Sequence, residues 1–462
     1  MAPPSSEPSK RKATEKPVSP PPVKRKARSN ISKENVAQFF TPVSEKQPDL
    51  VTWSERTPEG ETRPTLLVGR YQPEDVGEAD KKERRKIAAF DLDSTLITTE
   101  SGNIFPKDDQ DWQWWDASVP SRLRRLYRKE HYRIVIFSNQ GGIVLRADPK
   151  VKGSEKKQER ASAFKRKCTA VLKALDIPVS LYAAAEHDVF RKPRTGMWAE
   201  FCRDYGISAD AIDRARSVFV GDAGGRGARP KSGDGTPAIR KDPSCVDRDF
   251  AHNLGLAYKE PEDYFHGDAP REFTRAFDLA AHPYTEPDAQ AAGVAFEKTN
   301  EKDVVLFCGP PGAGKSTFYQ RYLEPLGYER VNMDLLKTRE KCFKAAAELL
   351  RDGSSVVVDS TNPDPEGRKK WIDLARDHGV PIRCLWFDVP KEVCQHNDAV
   401  RAFNKSLNPE ARTVLPVVAW NTFFSRLRPP QAAAEGFQDV RRVPFAFRGS
   451  RDEYAVWARY WY

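Results

Sequence analysis

Six short apolar runs, Ile87 to Phe90, Ile134 to Phe137, Val218 to Val220, Val304 to Phe307, Val356 to Val358 and Cys384 to Phe387, govern what this chain can become. Short runs of aliphatic and aromatic residues bounded by polar turns read as strands buried on both faces, the kind that build parallel sheets. Between them Ala161 to Leu175, Gly196 to Tyr205 and Leu335 to Leu350 carry apolar residues at helical spacing. Repeated strand-helix units predict an α/β chain with doubly wound sheets. A chain of 462 residues exceeds what one hydrophobic core organises, so two cores are expected. A polar stretch, Glu286 to Asn300, precedes the first strand of the second half. The expected organisation is therefore a tail over residues 1–48, a first domain over 49–280 and a second over 281–462.

Lys and Arg outnumber Asp and Glu by 76 to 66, and half of the net charge of +10 falls within residues 1–50, where ten basic residues face five acidic ones. This tail is rich in Pro, Ser and Lys and too poor in apolar residues to offset the entropy of ordering, so it is expected to be disordered. Its two compact basic clusters, Lys10-Arg11-Lys12 and Lys24-Arg25-Lys26-Ala27-Arg28, have the layout of a bipartite nuclear import signal. Val36, Phe39 and Phe40 stand out beyond them as a candidate short helix for docking into a partner protein's groove, loosely like a sliding-clamp-binding peptide. Seven cysteines without a C-x-x-C pair argue for a reducing compartment. No apolar stretch approaches the length of a membrane span.

Asp91 and Asp93 stand two residues apart where the first apolar run ends, in Phe90-Asp91-Leu92-Asp93-Ser94-Thr95-Leu96. Side chains at the ends of such strands face the ligand crevice of an open α/β sheet, and residues two apart are expected to point the same way. One carboxylate can then attack a phosphorus centre while the other protonates the leaving oxygen and activates water. Repulsion between a carboxylate and a phosphate calls for magnesium, expected on Asp91 and Asp93.

The second half opens with Val304-Val305-Leu306-Phe307-Cys308 running into Gly309-Pro310-Pro311-Gly312-Ala313-Gly314-Lys315-Ser316-Thr317, a strand followed by G-x-x-x-x-G-K-S. Gly309, Gly312 and Gly314 let backbone N–H groups approach the phosphates of ATP, with Ser316 and Thr317 opening the helix. Lys315 reaches the β- and γ-phosphates and Ser316 ligates magnesium. Phosphoryl transfer also needs a carboxylate near the acceptor hydroxyl and cations on the transferring group. Asp334 follows a further apolar strand, Asp359 ends the run Val356 to Val358 as a candidate magnesium holder, and Arg401 falls on a candidate lid helix.

D-x-D-x-T resembles the first motif of the haloacid-dehalogenase-like phosphatases, and companion motifs follow in order. The resemblance implies that Asp91 is the nucleophile, Asp93 the general acid and base, Ser138 a hydroxyl binding the phosphoryl group, Lys192 the charge-offsetting lysine and Asp222 a metal ligand. Ser94 stands where that family usually has glycine or a small residue.

At a finer level the chain resembles the eukaryotic polynucleotide kinase 3′-phosphatase family over about residues 85 to 455. The wording Ser138-Asn139-Gln140, Arg191-Lys192-Pro193, Thr195-Gly196-Met197-Trp198, Asn362-Pro363-Asp364 and Ala434-Glu435-Gly436-Phe437 carries that resemblance. It implies a haloacid-dehalogenase-like 3′-phosphatase domain followed by a P-loop 5′-hydroxyl kinase domain acting on DNA ends, with Asp334 as the kinase base. Animal members begin with a forkhead-associated domain, so a fungal-type form without one is expected here. Met333 occupies a position where animal members carry arginine, so either another basic residue holds the acceptor phosphate or affinity for it is lower. Arg226, Arg229, Lys231, Arg240 and Lys241 are candidate contacts to the strand backbone, and Trp112, Trp114 and Trp115 to its bases.

The short polar interval from Ile97 to Tyr132 leaves little room for a large cap, which favours a site open to polymers over a fusion of small-molecule enzymes. Intact Asp91, Asp93, Lys192, Lys315, Ser316 and Asp334 argue against an inactive scaffold.

Overall fold

The computed structural model describes residues 50–73, 84–228, 241–242, 244–286, 296–408 and 411–462. The expectations placed on the tail, on Arg229, on Lys231 and on Arg240 lie outside the described residues. Leu50–Tyr462 form one compact unit that contains two separate sheets.

The first sheet uses β1 (Val51–Arg56), β2 (Leu66–Tyr71), β3 (Lys86–Phe90), β6 (Tyr132–Asn139), β7 (Val179–Ala184), β8 (Val218–Val220) and β9 (Ala257–Lys259), while β4 (Ile97–Thr98) and β5 (Gln113–Trp114) pair separately. Its order is β1-β2-β7-β6-β3-β8-β9, parallel from β7 to β9 and antiparallel at the β1 and β2 edge. Residues alternate across the sheet with period two. Ala88 and Phe90 share one core with Leu123 and Leu126 of α1 (Val119–Arg128) and with Val171 and Leu172 of α2 (Ser154–Leu175). Ile87 and Ala89 share the other with Phe201 of α3 (Gly196–Tyr205) and Phe250 of α4 (Val246–Leu254).

The second sheet is wholly parallel, in the order β11 (Tyr328–Asn332), β12 (Ser355–Asp359), β10 (Val304–Cys308), β13 (Ile382–Phe387), β14 (Val440–Val443). Val305 and Phe307 bury one face with Phe318 of α5 (Lys315–Phe318). Val304 and Leu306 bury the other. Their partners are Leu350 of α7 (Arg339–Arg351) and Trp371 of α8 (Pro365–Asp377). The helix expected over Leu335 to Leu350 is broken in two. α6 (Met333–Leu336) ends at Lys337, whose φ of 71° leaves the helical region, and Thr338 caps α7 through its side chain.

In both sheets the chain reverses direction of progress at a central strand. β3 lies between β6 and β8, and β10 lies between β12 and β13. Such reversals open crevices at the carboxyl ends of the strands, which is where Asp91 and Gly309 fall. All seven cysteines are unpaired thiols. Among the described residues no helix is long and apolar enough to cross a membrane.

The motif around Asn362 and that around Glu435 meet on one buried cation. Arg368 of α8 is completely buried, donates to both carboxylate oxygens of Glu435 at 2.7 Å, and donates to the carbonyls of Asn362, Pro363 and Arg428 at 3.1 Å. Replacing Glu435 with alanine leaves that guanidinium buried without its counter-ion, so Glu435→Ala should cost about 3 to 5 kcal/mol. Chemical denaturation of the full chain measures this, and a loss near zero would show that the carbonyls alone hold Arg368.

Candidate active sites

Asp91 leaves β3 with its N–H donating to the carbonyl of Val220 at 2.8 Å, and its carboxylate is buried. The Lys192 ammonium, 2 % exposed, lies 2.6 Å from Asp91 Oδ1 and 2.6 Å from Asp247 Oδ1. One carboxylate oxygen each of Asp91, Asp222 and Asp247 lie within 4.8 Å of one another. Burial opposes charge on Asp91 and Asp222. It pushes Asp91 up to about 7 and Asp222 up to about 8, with neighbouring acids adding to the effect and Lys192 opposing it. Lys192 is raised despite its burial, because Asp247 and Asp91 outweigh desolvation. Three carboxylates against one ammonium leave an excess of negative charge, and an all-oxygen donor set of this kind fits a hard divalent cation such as magnesium.

The Lys192 backbone is clamped as well as its ammonium. Asn139 accepts from Lys192 N at 2.9 Å and donates to Lys192 O at 3.2 Å. Asp247, in the first turn of α4, is seated by accepting from Ala223 N at 3.0 Å. A Cβ on Gly221 would lie 2.4 Å from Asp247 Oδ2, so only glycine leaves room for this carboxylate.

Asp93 does not point with Asp91 into this cluster. Gln140 Nε2 donates to it at 2.7 Å and Lys167 Nζ lies 3.2 Å away, holding a side chain that is 50 % exposed. Asp93, expected at the metal site, is thus drawn to the open side by one amide and one basic donor, and the third acid beside Asp91 and Asp222 is Asp247. Gln140 Nε2 also donates to the buried Ser138 Oγ at 2.8 Å, tying the hydroxyl to Asp93. Ser94 has φ 59°, the left-handed region where glycine is at ease, which accounts for the small residue expected there.

At the second crevice Gly309, Gly312 and Gly314 all have positive φ. A Cβ on Gly309 would lie 2.6 Å from Phe387, and one on Gly312 would lie 2.5 Å from the carbonyl of Cys394 in α9 (Lys391–Phe403). Lys315 is buried and folds back over the loop, donating to the carbonyls of Gly309 at 3.1 Å and Pro310 at 2.7 Å. Thr317 is exposed on α5. Ser316 Oγ donates to Asp359 Oδ2 at 3.0 Å, which brings together the two residues expected near the nucleotide's metal. Arg330 also occupies this place, with Nη2 2.5 Å from Asp359 Oδ2 and 2.8 Å from Ser316 Oγ. Asn332 caps α6 by accepting from Asp334 N and Leu335 N, and so aims Asp334 outward from the end of β11.

Asp334 is 63 % exposed and pairs with Arg412 at 2.8 Å. Arg401 is held on its own helix by Asp398, 2.5 Å away. Asp398 also accepts from Leu415 N at 2.8 Å and so joins α9 to the segment that carries Arg412. The basic residue that stands beside Asp334 is Arg412, which no local motif marked.

Arg226 is not a strand contact. It is 4 % exposed and pairs with Asp242 at 2.7 Å, Glu260 at 3.4 Å and Glu262 at 2.8 Å, so its charge is spent inside the fold. Lys241 remains exposed. Trp112 and Trp114 meet edge to face at 5.4 Å and pack against the first core, and Trp115 stacks on His266 at 5.1 Å.

Comparison with known proteins bears on both crevices. The model of the polynucleotide kinase 3 phosphatase family matches residues 86–265, and an AAA domain model matches 304–341 and 337–430. A bifunctional polynucleotide phosphatase/kinase of Schizosaccharomyces pombe is 38 % identical over 385 residues, spanning 82 % of this chain and 84 % of the relative. A putative bifunctional polynucleotide phosphatase/kinase of Acanthamoeba polyphaga mimivirus is 28 % identical over 81 % of this chain and 88 % of its own length. A polynucleotide 3′-phosphatase of Saccharomyces cerevisiae is 30 % identical, covering 39 % of this chain and 87 % of the yeast protein.

Proposed function

The chain belongs to the bifunctional polynucleotide phosphatase/kinase family, and on that premise we propose that it heals DNA ends by removing 3′-phosphates at the Asp91 crevice and phosphorylating 5′-hydroxyls at the Lys315 crevice. The observation that carries the reading is the divergence of two carboxylates on one turn. Asp91 is buried against Lys192, suited to attack phosphorus. Asp93 is half exposed, suited to exchange protons with the leaving oxygen and with water. In that sequence the Asp91 carboxylate forms a bond to phosphorus as the bond to the 3′ oxygen breaks, and Asp93 gives that oxygen its proton. Asp93 then takes a proton from the water that cleaves the aspartyl-phosphate, releasing phosphate and restoring Asp91. Lys192 offsets charge on the nucleophile and Ser138 offers a hydroxyl to the phosphoryl oxygens.

Magnesium would be held by Asp91, Asp222 and Asp247, where it supplies positive charge against the incoming phosphate. In the second crevice Lys315 and the loop N–H groups hold the ATP phosphates, and Asp334 accepts the proton of the attacking 5′-hydroxyl. Ser316 and Asp359 would hold the ion that accompanies the nucleotide.

A DNA oligonucleotide carrying a 5′-hydroxyl and a 3′-phosphate, incubated with magnesium and ATP, tests the assignment. Asp91→Ala should abolish dephosphorylation and spare phosphorylation, whereas Lys315→Ala should slow phosphorylation by roughly 10² to 10³ and spare dephosphorylation. If the wild type leaves both ends unchanged while small phosphorylated metabolites turn over, the DNA-end reading is wrong.

Asp247→Asn should weaken magnesium binding at the first crevice by roughly ten- to a hundredfold. Titration calorimetry on the nucleotide-free protein measures it, and unchanged affinity would remove Asp247 from the site. Residues 1–48 are proposed to direct nuclear import through the clusters at Lys10 and Lys24. A fluorescent protein fused to this tail should accumulate in nuclei and lose that accumulation when both clusters are replaced by alanine.

A further inference from the structure

Of the two residues after Lys192, Pro193 is held by Asn253 of α4, which is itself bonded to the C-terminal segment, and Arg194 is held in part by that segment directly. Asn253, near the end of α4, donates through Nδ2 to the carbonyl of Pro193 at 2.9 Å and to the carbonyl of Tyr460 at 2.7 Å. Its Oδ1 accepts from Tyr460 N at 2.9 Å. Arg194, 7 % exposed, donates from Nη1 to the carbonyl of Trp461 at 2.7 Å and from Nε to that of Asp188 at 2.5 Å, and its guanidinium lies 4.2 Å from the ring centre of Phe403. Tyr460 is itself buried, its ring against His252 and the guanidinium of Arg275.

The same segment is anchored to the glycine loop. Trp457 Nε1 donates to Asn397 Oδ1 at 2.7 Å, and Asn397 Nδ2 donates to the carbonyl of Gly312 at 2.8 Å. His396 Nε2 lies 2.9 Å from the carbonyl of Trp457. Hydrogen bonds and a short stretch of backbone thus run without interruption from the nucleotide loop to the residue beside Lys192.

Resting on the phosphatase reading above, we propose that Asn253 together with Tyr460 and Trp461 is a positioning element for Lys192. Asn139 fixes the lysine backbone from one side, and this element fixes Pro193 and Arg194 from the other. The lysine must keep contact with Asp91 and Asp247 at once, both at 2.6 Å, and a displacement of its backbone by a fraction of an ångström loses one of them. Without Trp461 the buried Arg194 also loses a carbonyl acceptor, which disfavours the present path of the segment.

The test uses the full chain, Asn253→Ala, Asn253→Asp and a variant lacking residues 460–462. Each is assayed on a 3′-phosphorylated oligonucleotide, on p-nitrophenyl phosphate and for 5′ phosphorylation. Asn253→Ala and the deletion should lower phosphatase kcat on both phosphates by roughly tenfold with KM within about twofold, leaving kinase kcat unchanged. Asn253→Asp keeps an acceptor for Tyr460 N and should fall between wild type and Asn253→Ala. Unchanged phosphatase kcat in the alanine and deletion variants would overturn the proposal. So would a proportional loss of both activities together with a lower melting temperature, since that marks packing alone. A wild type that hydrolyses p-nitrophenyl phosphate but not the oligonucleotide removes the DNA reading, and the element is then judged on the aryl phosphate.

Discussion

One buried ammonium organises the first half of this protein. Lys192 sits where desolvation opposes its charge, and Asp247 and Asp91, facing it from two different elements, outweigh that opposition. The turn after β3, the first turn of α4 and the segment containing Lys192 must therefore all arrive at one point. Gly221 clears the space for Asp247, and the amide of Asn139 closes on the lysine backbone from β6. The acids in turn depend on the cation, since without it three carboxylates would share one desolvated place.

The second half solves the converse problem. Its loop must offer positive charge and bare N–H groups to a polyanion, and Gly309 and Gly312 lie where Phe387 and α9 would strike any side chain. Cations already stand in the crevice. Lys315 is turned back onto loop carbonyls, and Arg330 covers Ser316 and Asp359. Acids and bases thus meet inside each crevice, and both crevices arise from the same topological rule, a parallel sheet that reverses its order at a central strand.

The parts legible in the sequence were those whose cause is local. Continuous apolar runs gave away β3, β6, β8, β10, β12 and β13, since a strand buried on both faces has no polar alternation to confuse it. β7 escaped because Ser180 and Tyr182 interrupt its apolar character, and their hydroxyls are satisfied by Tyr205 and Asp204, far along the chain. The edge strand β1 escaped because it is only partly buried. In the site, the D-x-D turn and the glycine loop are contiguous and therefore visible. Asp247 and Arg412 acquire meaning only from partners brought by folding, and no spacing marks them. Arg226 misled for the opposite reason, since a basic residue in a glycine-rich loop looks solvated until three acids are found around it.

The hydrogen bonds between Asn253 and Tyr460 span 207 residues of sequence, and that separation has a meaning for how the protein is made. A ribosome exposes every strand of the first sheet well before Tyr460 has been added. Until then Arg194 lacks the Trp461 carbonyl and Asn253 lacks both of its bonds to Tyr460. The first lobe is thus drafted early and finished late, and nascent chains carry a phosphate crevice whose maturation waits on translation of the other.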